Sequence, residues 1–519
     1  MINELHAHSL LLRRMGSAGS QLVLPSLPDL PDAFLLAVAQ CLAADDKCSL
    51  FSSARAHSRL HQAAAAVLHS ITVEVSNQQQ LDSVLLYLDK HGQHVDSIQL
   101  MGIDESTVDL GQLPSNLQLS SLELSSMGSM GLQLLPGGGF QGVLGAAAGS
   151  AALKQLKLGP FCEVLDQDAD AALAAALSQL PAGLEHLSIS GLLSPEDEWV
   201  QFDADVLPRL QQLTYLELAD IKVKAPGQGQ PALQPLQALT ALQDLRLWAE
   251  GVSIGDEMIT ASMLSGMHHL TRLEVSAFAR DSAAPNIEPG ILAGKPLLQH
   301  LELEQCIVSG AAGGAQLLSH LQPLQQLTHL DLQHTTWEDS PPAAACAALT
   351  ASSKLQHLDI SGCTLPGGAW EHMFRAARQL PHLTSLDVGG VSLPEAEAMP
   401  GEVYVLAPFS CRLVSCCPGL QSLNVQFLQH SALLLAQLQG LTGVHTLHCS
   451  ADMIRPSEGV GAVCRLTGLR QLDISVPHAV TEELLLPLAQ LQQLTSLTYF
   501  GVLEGDRLRQ EFSSKVRAR

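Results

Sequence analysis

The sequence predicts an α/β solenoid of about fifteen stacked strand-and-helix units, preceded by a small helical segment. The first observation is the segment "LQHLDISGCTL" at 355–365, where apolar residues occupy offsets 1, 4, 6 and 11 and a cysteine occupies offset 9. The second is that this pattern recurs from Val95 to Leu494, with steps of 28 or 29 residues through the middle of the chain. One unit cannot bury its apolar face alone, so a fixed period indicates stacked units that share a core.

Each unit is expected to contain a short strand, a turn and a helix. Apolar residues at offsets 4 and 6 suit a strand that buries one face. The connecting segments show the apolar spacing of helices, as at 314–327, 367–383 and 481–494. Parallel strands lie about 4.8 Å apart whereas packed helices lie about 8–10 Å apart, so the stack is expected to curve with its strands on the concave side.

Four consecutive segments carry a resemblance to a known family. The segments "LQHLELEQCIV", "LTHLDLQHTTW", "LQHLDISGCTL" and "LTSLDVGGVSL" resemble leucine-rich repeats, and the resemblance extends over roughly residues 95–500. It implies an α/β horseshoe whose parallel strands line the concave face. The steps of 28 or 29 residues are similar to those of the ribonuclease-inhibitor-like class, whereas the final steps of 24 or 25 residues predict shorter convex segments and a change of curvature near residue 420.

The repeats depart from the family at offset 9. The asparagine that leucine-rich repeats usually carry there is absent from every unit, and Cys306, Thr335 and Cys363 occupy the position in three of them. A regular ladder of hydrogen-bonded asparagines is therefore excluded.

Residues 30–60 predict three short helices ahead of the repeats. Pro31 and Asp32 form a helix start, and apolar residues follow at helical spacing. The segment resembles an F-box, and "SCCPGLQSLNV" at 415–425 is similar to the cysteine-containing repeats that are common in F-box proteins. The resemblance implies docking on the Skp adaptor of a cullin-RING ubiquitin ligase through Leu30, Pro31, Phe34, Leu35, Val38, Leu42 and Leu50. The alternative is a helical cap that covers the apolar edge of the first repeat.

These patterns divide the chain into four parts. Residues 1–24 are expected to be a disordered extension, with a short organellar transit peptide as the alternative. The F-box-like helical segment takes residues 25–75, the solenoid takes 76–505, and a basic C-terminal tail takes 506–519.

The concave face is the candidate binding surface, because side chains at offsets 3 and 5 of each strand point toward it. Offset 5 carries mainly charged residues, namely Glu217, Arg246, Glu274, Glu302, Asp331, Asp359 and Asp387. The last five of these form what we call the carboxylate column. His300, His329 and His357 at offset 3 form the histidine column, and Trp248 at offset 7 is a candidate interface anchor.

A row of like charges on adjacent strands costs stability. Two exposed carboxylates about 4.8 Å apart repel by roughly 0.9 kcal/mol in water, and a docking protein with a basic surface relieves that repulsion. The alternative is that the acidic residues are ordinary filler at exposed strand positions, copied as the repeats duplicated. No cofactor and no metal are predicted, since the two columns do not present a closed ligand set.

Composition narrows the functional classes. The net charge of −24 opposes binding to nucleic acid or to an anionic membrane. The eleven cysteines are scattered without metal-ligand spacing, and the N-terminal segment does not match a secretion signal, which favours a cytoplasmic protein, with the nucleus and the ciliary cytoskeleton as alternatives. No catalytic motif stands in a suitable frame, so a non-enzymatic interaction module is predicted, specifically the substrate-recognition subunit of an SCF-type ubiquitin ligase. A leucine-rich-repeat scaffold of the cytoskeleton or ciliary axoneme, without any ligase link, is the alternative.

Overall fold

One long parallel sheet dominates the computed structural model. The structure describes residues 69–102, 108–109, 113–114, 117–126, 132–134, 149–159, 162–164, 169–193, 201–224, 231–249, 258–277, 284–375, 378–392, 415–426, 440–450, 457–475 and 493–500, with the isolated positions 145, 413, 488 and 491. Within these ranges, 16 strands form the sheet in chain order, and each pairs with the next.

The strands are β1 (Ser70–Val75), β2 (Ser97–Gly102), β3 (Ser121–Ser126), β4 (Gln155–Leu158), β5 (His186–Ser190), β6 (Tyr215–Ala219), β7 (Asp244–Ala249), β8 (Arg272–Ala277), β9 (His300–Glu304), β10 (His329–Asp331), β11 (His357–Asp359), β12 (Ser385–Asp387), β13 (Ser422–Asn424), β14 (Thr446–Ser450), β15 (Gln471–Ser475) and β16 (Ser496–Phe500). Residues at equal offsets pair throughout, as in the match of Leu330 with Leu358. The parallel solenoid predicted from the repeat is therefore the observed architecture.

The sheet begins one strand earlier than the fifteen predicted units. Strand β1 pairs in parallel with β2, from Ser70 opposite Ser97 to Val75 opposite Gly102. Ile71 stands at offset 4 of the repeat pattern, opposite Ile98, and is buried. Residues 70–75 thus belong to the sheet, although the sequence analysis placed them in the helical segment.

Helical turns and short helices connect the strands. They include the α-helices α1 (Gln78–His91), α2 (Ala169–Leu177), α3 (Ala261–Leu264), α4 (Gly313–Leu321), α5 (Ala369–Met373) and α6 (Ser457–Cys464), and 3-10 turns at Gly92–His94, Ala204–Arg209, Gln234–Ala238, Pro289–Leu292 and Ala343–Thr350.

Two predicted helices are shorter than expected. The helix expected at 314–327 ends at Leu321, ahead of Pro323, and the one expected at 367–383 ends at Met373, because Phe374 leaves the helical region with φ −108° and ψ 61°.

Short accessory strands follow several turns of the stack. Asn286–Ile287, Ile307–Val308 and Thr336–Trp337 form a parallel sheet of three strands. A second accessory sheet joins Gln201–Asp203 to Lys222–Lys224, and a third joins Val108–Asp109, Leu132–Leu134, Cys162–Val164 and Leu192–Leu193.

The core is a continuous seam of aliphatic side chains. The residues at offsets 4 and 6 of the units from β2 to β15 are buried, and Leu301, Leu303 and Leu358 have no exposed surface. Burial of a leucine side chain contributes about 1.5–3 kcal/mol, so the seam supplies the main stabilisation of the stack. No helix in the described ranges combines the length and the apolar character needed to cross a bilayer.

In six of the described units, the turn after the strand uses a left-handed residue at offset 8, namely Gly191, Asp220, Gln305, His334, Gly362 and Gly390. The backbone φ runs from 50° at Asp220 to 68° at Gly362. A Cβ atom on Gly362 would lie 2.0 Å from Nδ1 of His334, so this turn requires glycine.

Thiols and a hydroxyl replace the missing asparagines at offset 9. The Cys306 Sγ donates to the Val275 carbonyl at 3.4 Å, and the Cys363 Sγ donates to the Leu332 carbonyl at 2.9 Å. Between them, the Thr335 hydroxyl donates to the Leu303 carbonyl. Each bond reaches back to offset 6 of the preceding strand, so these three units do have a side-chain ladder, built from other donors.

Several predicted features fall outside the described residues. These include the F-box-like residues Leu30, Pro31, Phe34, Leu35, Val38, Leu42 and Leu50, the extension at 1–24 and the tail at 506–519.

Candidate functional site

The face of the sheet that carries offsets 3, 5 and 7 of β1–β16, called the ladder face below, brings the predicted binding residues together. At offset 5, consecutive strands place in register Glu217, Arg246, Glu274, Glu302, Asp331, Asp359 and Asp387. At offset 3, His300 pairs with His329 and His329 pairs with His357. The sequence register was therefore assigned correctly along this part of the sheet.

Glu274 is the most enclosed member of the carboxylate column, with 1% of its surface exposed. It contacts Arg272, Arg246 Nε at 3.5 Å and His300 Nε2 at 3.1 Å. Burial alone would raise the pKa of Glu274, but the hydrogen bond from His300 and the charges of Arg246 and Arg272 outweigh it and lower the pKa. Glu274 is therefore a charged group that is neutralised from within the protein, and it offers little surface to a partner.

Arg246, Arg272 and His300 form a basic cage around Glu274, and aromatic and cationic groups stack on the strands just before this cage. The rings of His186 and Tyr215 lie parallel with centroids 3.8 Å apart, and the Arg246 guanidinium carbon lies 5.1 Å from the Tyr215 centroid. The Tyr215 hydroxyl donates to Glu217 Oε2 at 2.7 Å, and Ser188 Oγ donates to the same oxygen at 2.8 Å. The polar groups at this end of the ladder face are consequently paired within the protein.

The three imidazoles of the histidine column form a continuous stack. The centroids of His300 and His329 are 4.0 Å apart, those of His329 and His357 are 4.2 Å apart, and both pairs are tilted by 6°. Burial, followed by the two flanking histidines, lowers the pKa of His329 to about 3. Burial also lowers the pKa of His357, so both rings are neutral at physiological pH.

His300 differs from the other two rings because it faces carboxylates. Its Nε2 lies 3.1 Å from Glu274 Oε1 and 3.6 Å from Glu302 Oε2. Burial acts to lower the pKa of His300, but the hydrogen bonds to Glu274 and Glu302 outweigh it and raise the pKa.

The aspartates of the carboxylate column also terminate their strands. Asp331 Oδ1 accepts from the Gln333 amide at 2.9 Å, Asp359 Oδ1 accepts from the Ser361 amide at 2.8 Å, and Asp387 Oδ1 accepts from the Gly389 amide at 2.9 Å. Such bonds to the amide two residues ahead are typical of aspartate turns. These aspartates therefore have a structural role, which the filler hypothesis did not include.

Burial and neighbouring carboxylates raise the pKa values of Asp331 and Asp359. Burial, opposed by the backbone bond from Gln333 and assisted by the charges of Glu302, Glu304 and Asp387, raises the pKa of Asp331 to about 6. Burial, followed by the charges of Asp387 and Asp331, raises the pKa of Asp359 to about 7.

The column members differ in access. Glu274 and Asp359 are buried, the latter with 9% of its surface exposed, whereas Glu302, Asp331 and Asp387 are half-buried. The prediction treated the column as an exposed row, and the enclosure of these two members comes from contacts with neighbouring strands. Trp248, the candidate anchor at offset 7, is half-buried between Ala219 and Ser276 in the register.

Other ladder-face residues were absent from the predicted set. Asp244 binds Arg246 Nε through Oδ1 at 3.1 Å, and His448 Nδ1 lies 2.9 Å from Asp473 Oδ2. Asn424, one strand after Asp387, donates from Nδ2 to Asp387 Oδ2 at 2.7 Å. All of them occupy offsets 3 or 5, so extending the same offset count along the whole chain would have found them.

Comparison with known proteins gives the following likenesses. No protein-family model and no curated protein matches the sequence. Among solved structures, the chain is similar to the plant peptide hormone receptor RGFR1 in complex with RGF2, with 14% identity and a TM-score of 0.43, covering 85% of this chain and 65% of that one. It is also similar to an internalin from Listeria monocytogenes, with 13% identity and a TM-score of 0.36 over 92% of this chain and 98% of that one.

A third likeness is to the LRR ectodomain of the Arabidopsis receptor kinase HAESA in complex with a peptide hormone ligand, with 12% identity and a TM-score of 0.37 over 85% of this chain and 76% of that one. The present chain thus spans 65% of the length of the first receptor chain. The solenoid architecture itself rests on the strand order and register described above.

Proposed function

We propose that this protein is a non-enzymatic recognition protein that binds a partner with a basic surface on its ladder face. The observation that supports this most directly is the run of Asp331, Asp359 and Asp387 on consecutive strands. Among the ion pairs of the described residues, none joins these three carboxylates to a lysine or an arginine. Their negative potential is therefore available to steer a basic partner toward the face.

The stack of histidine rings beside the aspartates supports the same function. Flat half-buried rings and a rigid sheet supply pre-organised contact area, which reduces the entropy lost when a partner binds. Charge complementarity mainly raises the association rate and the selectivity, so binding is expected to weaken as salt is increased.

Charge reversal on the ladder face tests this proposal. Full-length chains carrying Glu302→Lys together with Asp387→Lys are compared with wild type and with Asp82→Lys, a control on the exposed side of α1. Proteins retained from a cell extract by wild type and by the control, but lost from the double variant, support binding at the ladder face. Retention of the same proteins by all three chains contradicts it. Circular dichroism verifies that each variant is folded.

We further propose that residues 25–68 tether the protein to the Skp adaptor of an SCF-type ubiquitin ligase. This part rests on the F-box resemblance alone and concerns residues outside the described ranges. The test is retention of purified adaptor by the full-length chain and by a variant carrying Leu35→Ala and Leu42→Ala. Failure of the wild-type chain to retain the adaptor contradicts the ligase link, leaves the ladder-face proposal intact and favours the scaffold alternative.

A further inference from the structure

Histidine and carboxylate side chains converge at the centre of the ladder face. His329, Asp331 and His357 each offer one ligand atom, and these three atoms lie within 4.8 Å of one another. His300, Glu302 and His329 form an overlapping group that meets the same distance limit. His329 is common to both groups, so one ring is central to any site built here.

The two groups differ in the availability of their ligand atoms. In the overlapping group, His300 Nε2 is already engaged by Glu274 at 3.1 Å. No ion pair within the described part of the chain involves His329, His357 or Asp331. Asp331 uses Oδ1 to accept from the Gln333 amide, which fixes the carboxylate and leaves Oδ2 for another contact.

From this geometry we propose that His329, Asp331 and His357 bind a divalent transition-metal ion of the zinc class. Two imidazoles and one carboxylate are a ligand set that suits such ions, and three protein ligands leave a coordination position open to water or to a group from a partner. Ca²⁺ and Mg²⁺ prefer oxygen ligands and are not expected to compete effectively.

The observed spacing requires a small rearrangement. Zinc bonds of about 2.0–2.2 Å place tetrahedral ligand atoms roughly 3.4 Å apart. The stacked rings hold their nitrogen lone pairs in nearly parallel planes, since adjacent rings are tilted by only 6°. Turning the imidazoles about the bond to the ring brings the lone pairs together, and both rings are half-buried, which leaves room on the solvent side.

Charge favours an ion at this position. Asp331 lies between Glu302 and Asp359 in the register, and the carboxylate column continues to Asp387. A divalent cation bound at Asp331 offsets the repulsion along the column. In this role the ion replaces a basic side chain that the described ladder face does not provide there.

Zinc titration of the metal-free full-length chain, followed by calorimetry, tests the proposal. His329→Phe keeps an aromatic ring in the stack but removes the nitrogen ligands, and it is expected to weaken zinc binding at least tenfold. His186→Phe is the matched control, since His186 lies at the same offset, stacks on Tyr215 and belongs to neither ligand group. This control is expected to bind zinc as wild type does.

Thermal unfolding gives a second measurement. Zinc is expected to raise the unfolding temperature of wild type and of His186→Phe, but not of His329→Phe, because only a ligand that binds the folded state stabilises it. Equal zinc affinity in wild type and His329→Phe would overturn the proposal. Binding of Ca²⁺ as tight as that of Zn²⁺ would also overturn it and indicate an acidic surface without a specific site. The titration needs no partner, so its outcome is independent of the proposed recognition function.

Discussion

Replacing Asp359 by asparagine is expected to stabilise the protein at pH 8. Asp359 lies between Asp331 and Asp387 in the register and is 9% exposed. Its Oδ1 accepts from the Ser361 amide at 2.8 Å and from the Ser361 hydroxyl at 2.7 Å, and an asparagine oxygen can accept both bonds. Asn424 already shows this arrangement, since its Oδ1 accepts from a backbone amide while its Nδ2 donates to Asp387.

The magnitude follows from the repulsion that the substitution removes. Neighbouring strands lie about 4.8 Å apart, at which two like charges repel by about 1 kcal/mol in water and about 3 kcal/mol at an effective dielectric of 20. Two carboxylates flank Asp359, but each also attracts counter-ions, so we expect the free energy of unfolding to rise by about 1–3 kcal/mol at pH 8.

The pH dependence has a definite sign. The pKa of Asp359 in the folded protein is about 7, above its ordinary value of 3.8, so the folded state binds the proton more tightly than the unfolded state does. The stability linked to this proton is fully present below about pH 4 and is lost as the pH rises through about 7. The introduced asparagine cannot ionise, so the advantage of the variant should shrink as the pH falls from 8 to 4.

Urea unfolding followed by circular dichroism, in metal-free buffer at pH 8 and pH 4, measures both effects. Asp82→Asn on the exposed face of α1 is the matched control and should change stability by less than about 0.5 kcal/mol. A variant that is less stable than wild type at pH 8, or one whose gain is equal at both pH values, would refute the reasoning.

Three further substitutions probe the core, the cage and the turn. Leu358→Ala should lower the free energy of unfolding, measured by urea melts, by about 2–5 kcal/mol. Leu86→Ala, at a site that is 71% exposed, is the control and should change it little. Equal effects of the two substitutions would show that the register is misassigned. Glu274→Gln should lower the free energy of unfolding by about 3–5 kcal/mol, because it leaves three basic groups around an uncharged amide. An unchanged unfolding temperature would contradict the described role of these basic groups around Glu274. Thr335→Val should lower the free energy of unfolding by about 1–3 kcal/mol, because it leaves the buried carbonyl of Leu303 without its hydrogen-bond donor. Thr364→Val, at an exposed site, is the control and should have a small effect. Equal unfolding midpoints for the two variants would contradict the side-chain ladder at offset 9.

The repeat period was sufficient to predict the sheet, its direction and its register. Leucine at offsets 1 and 4 is a strong signal because any shift by one residue would turn the core side chains toward solvent. Strand β1 was missed because residues 25–75 were assigned to the helical segment, although Leu68, Ile71 and Val73 fall at offsets 1, 4 and 6 of the same pattern. The helices were overestimated, since the apolar spacing on the helical side is equally compatible with 3-10 turns such as Ala343–Thr350.

The candidate site was located by offset counting, but its electrostatics were not. The cage around Glu274 combines residues from β7, β8 and β9, so the pairing depends on rotamers that a single strand does not specify. The aspartate turns were also hidden, because the same residue type at the same offset is compatible with an exposed strand position. An aspartate turn differs from an exposed strand position in where the strand ends, and the sequence pattern does not specify the strand length.

Buried thiols along the stack can report when its coils separate. Cys306 and Cys363 at offset 9 and Cys449 at offset 6 are fully enclosed, and burial raises the pKa of each thiol, so alkylating reagents can react only after the surrounding coils separate. A solenoid opens in segments, because each coil contacts only its neighbours. Alkylation rates at these three cysteines, resolved by peptide mass spectrometry, would therefore show which end of the molecule frays first and how far the opening spreads.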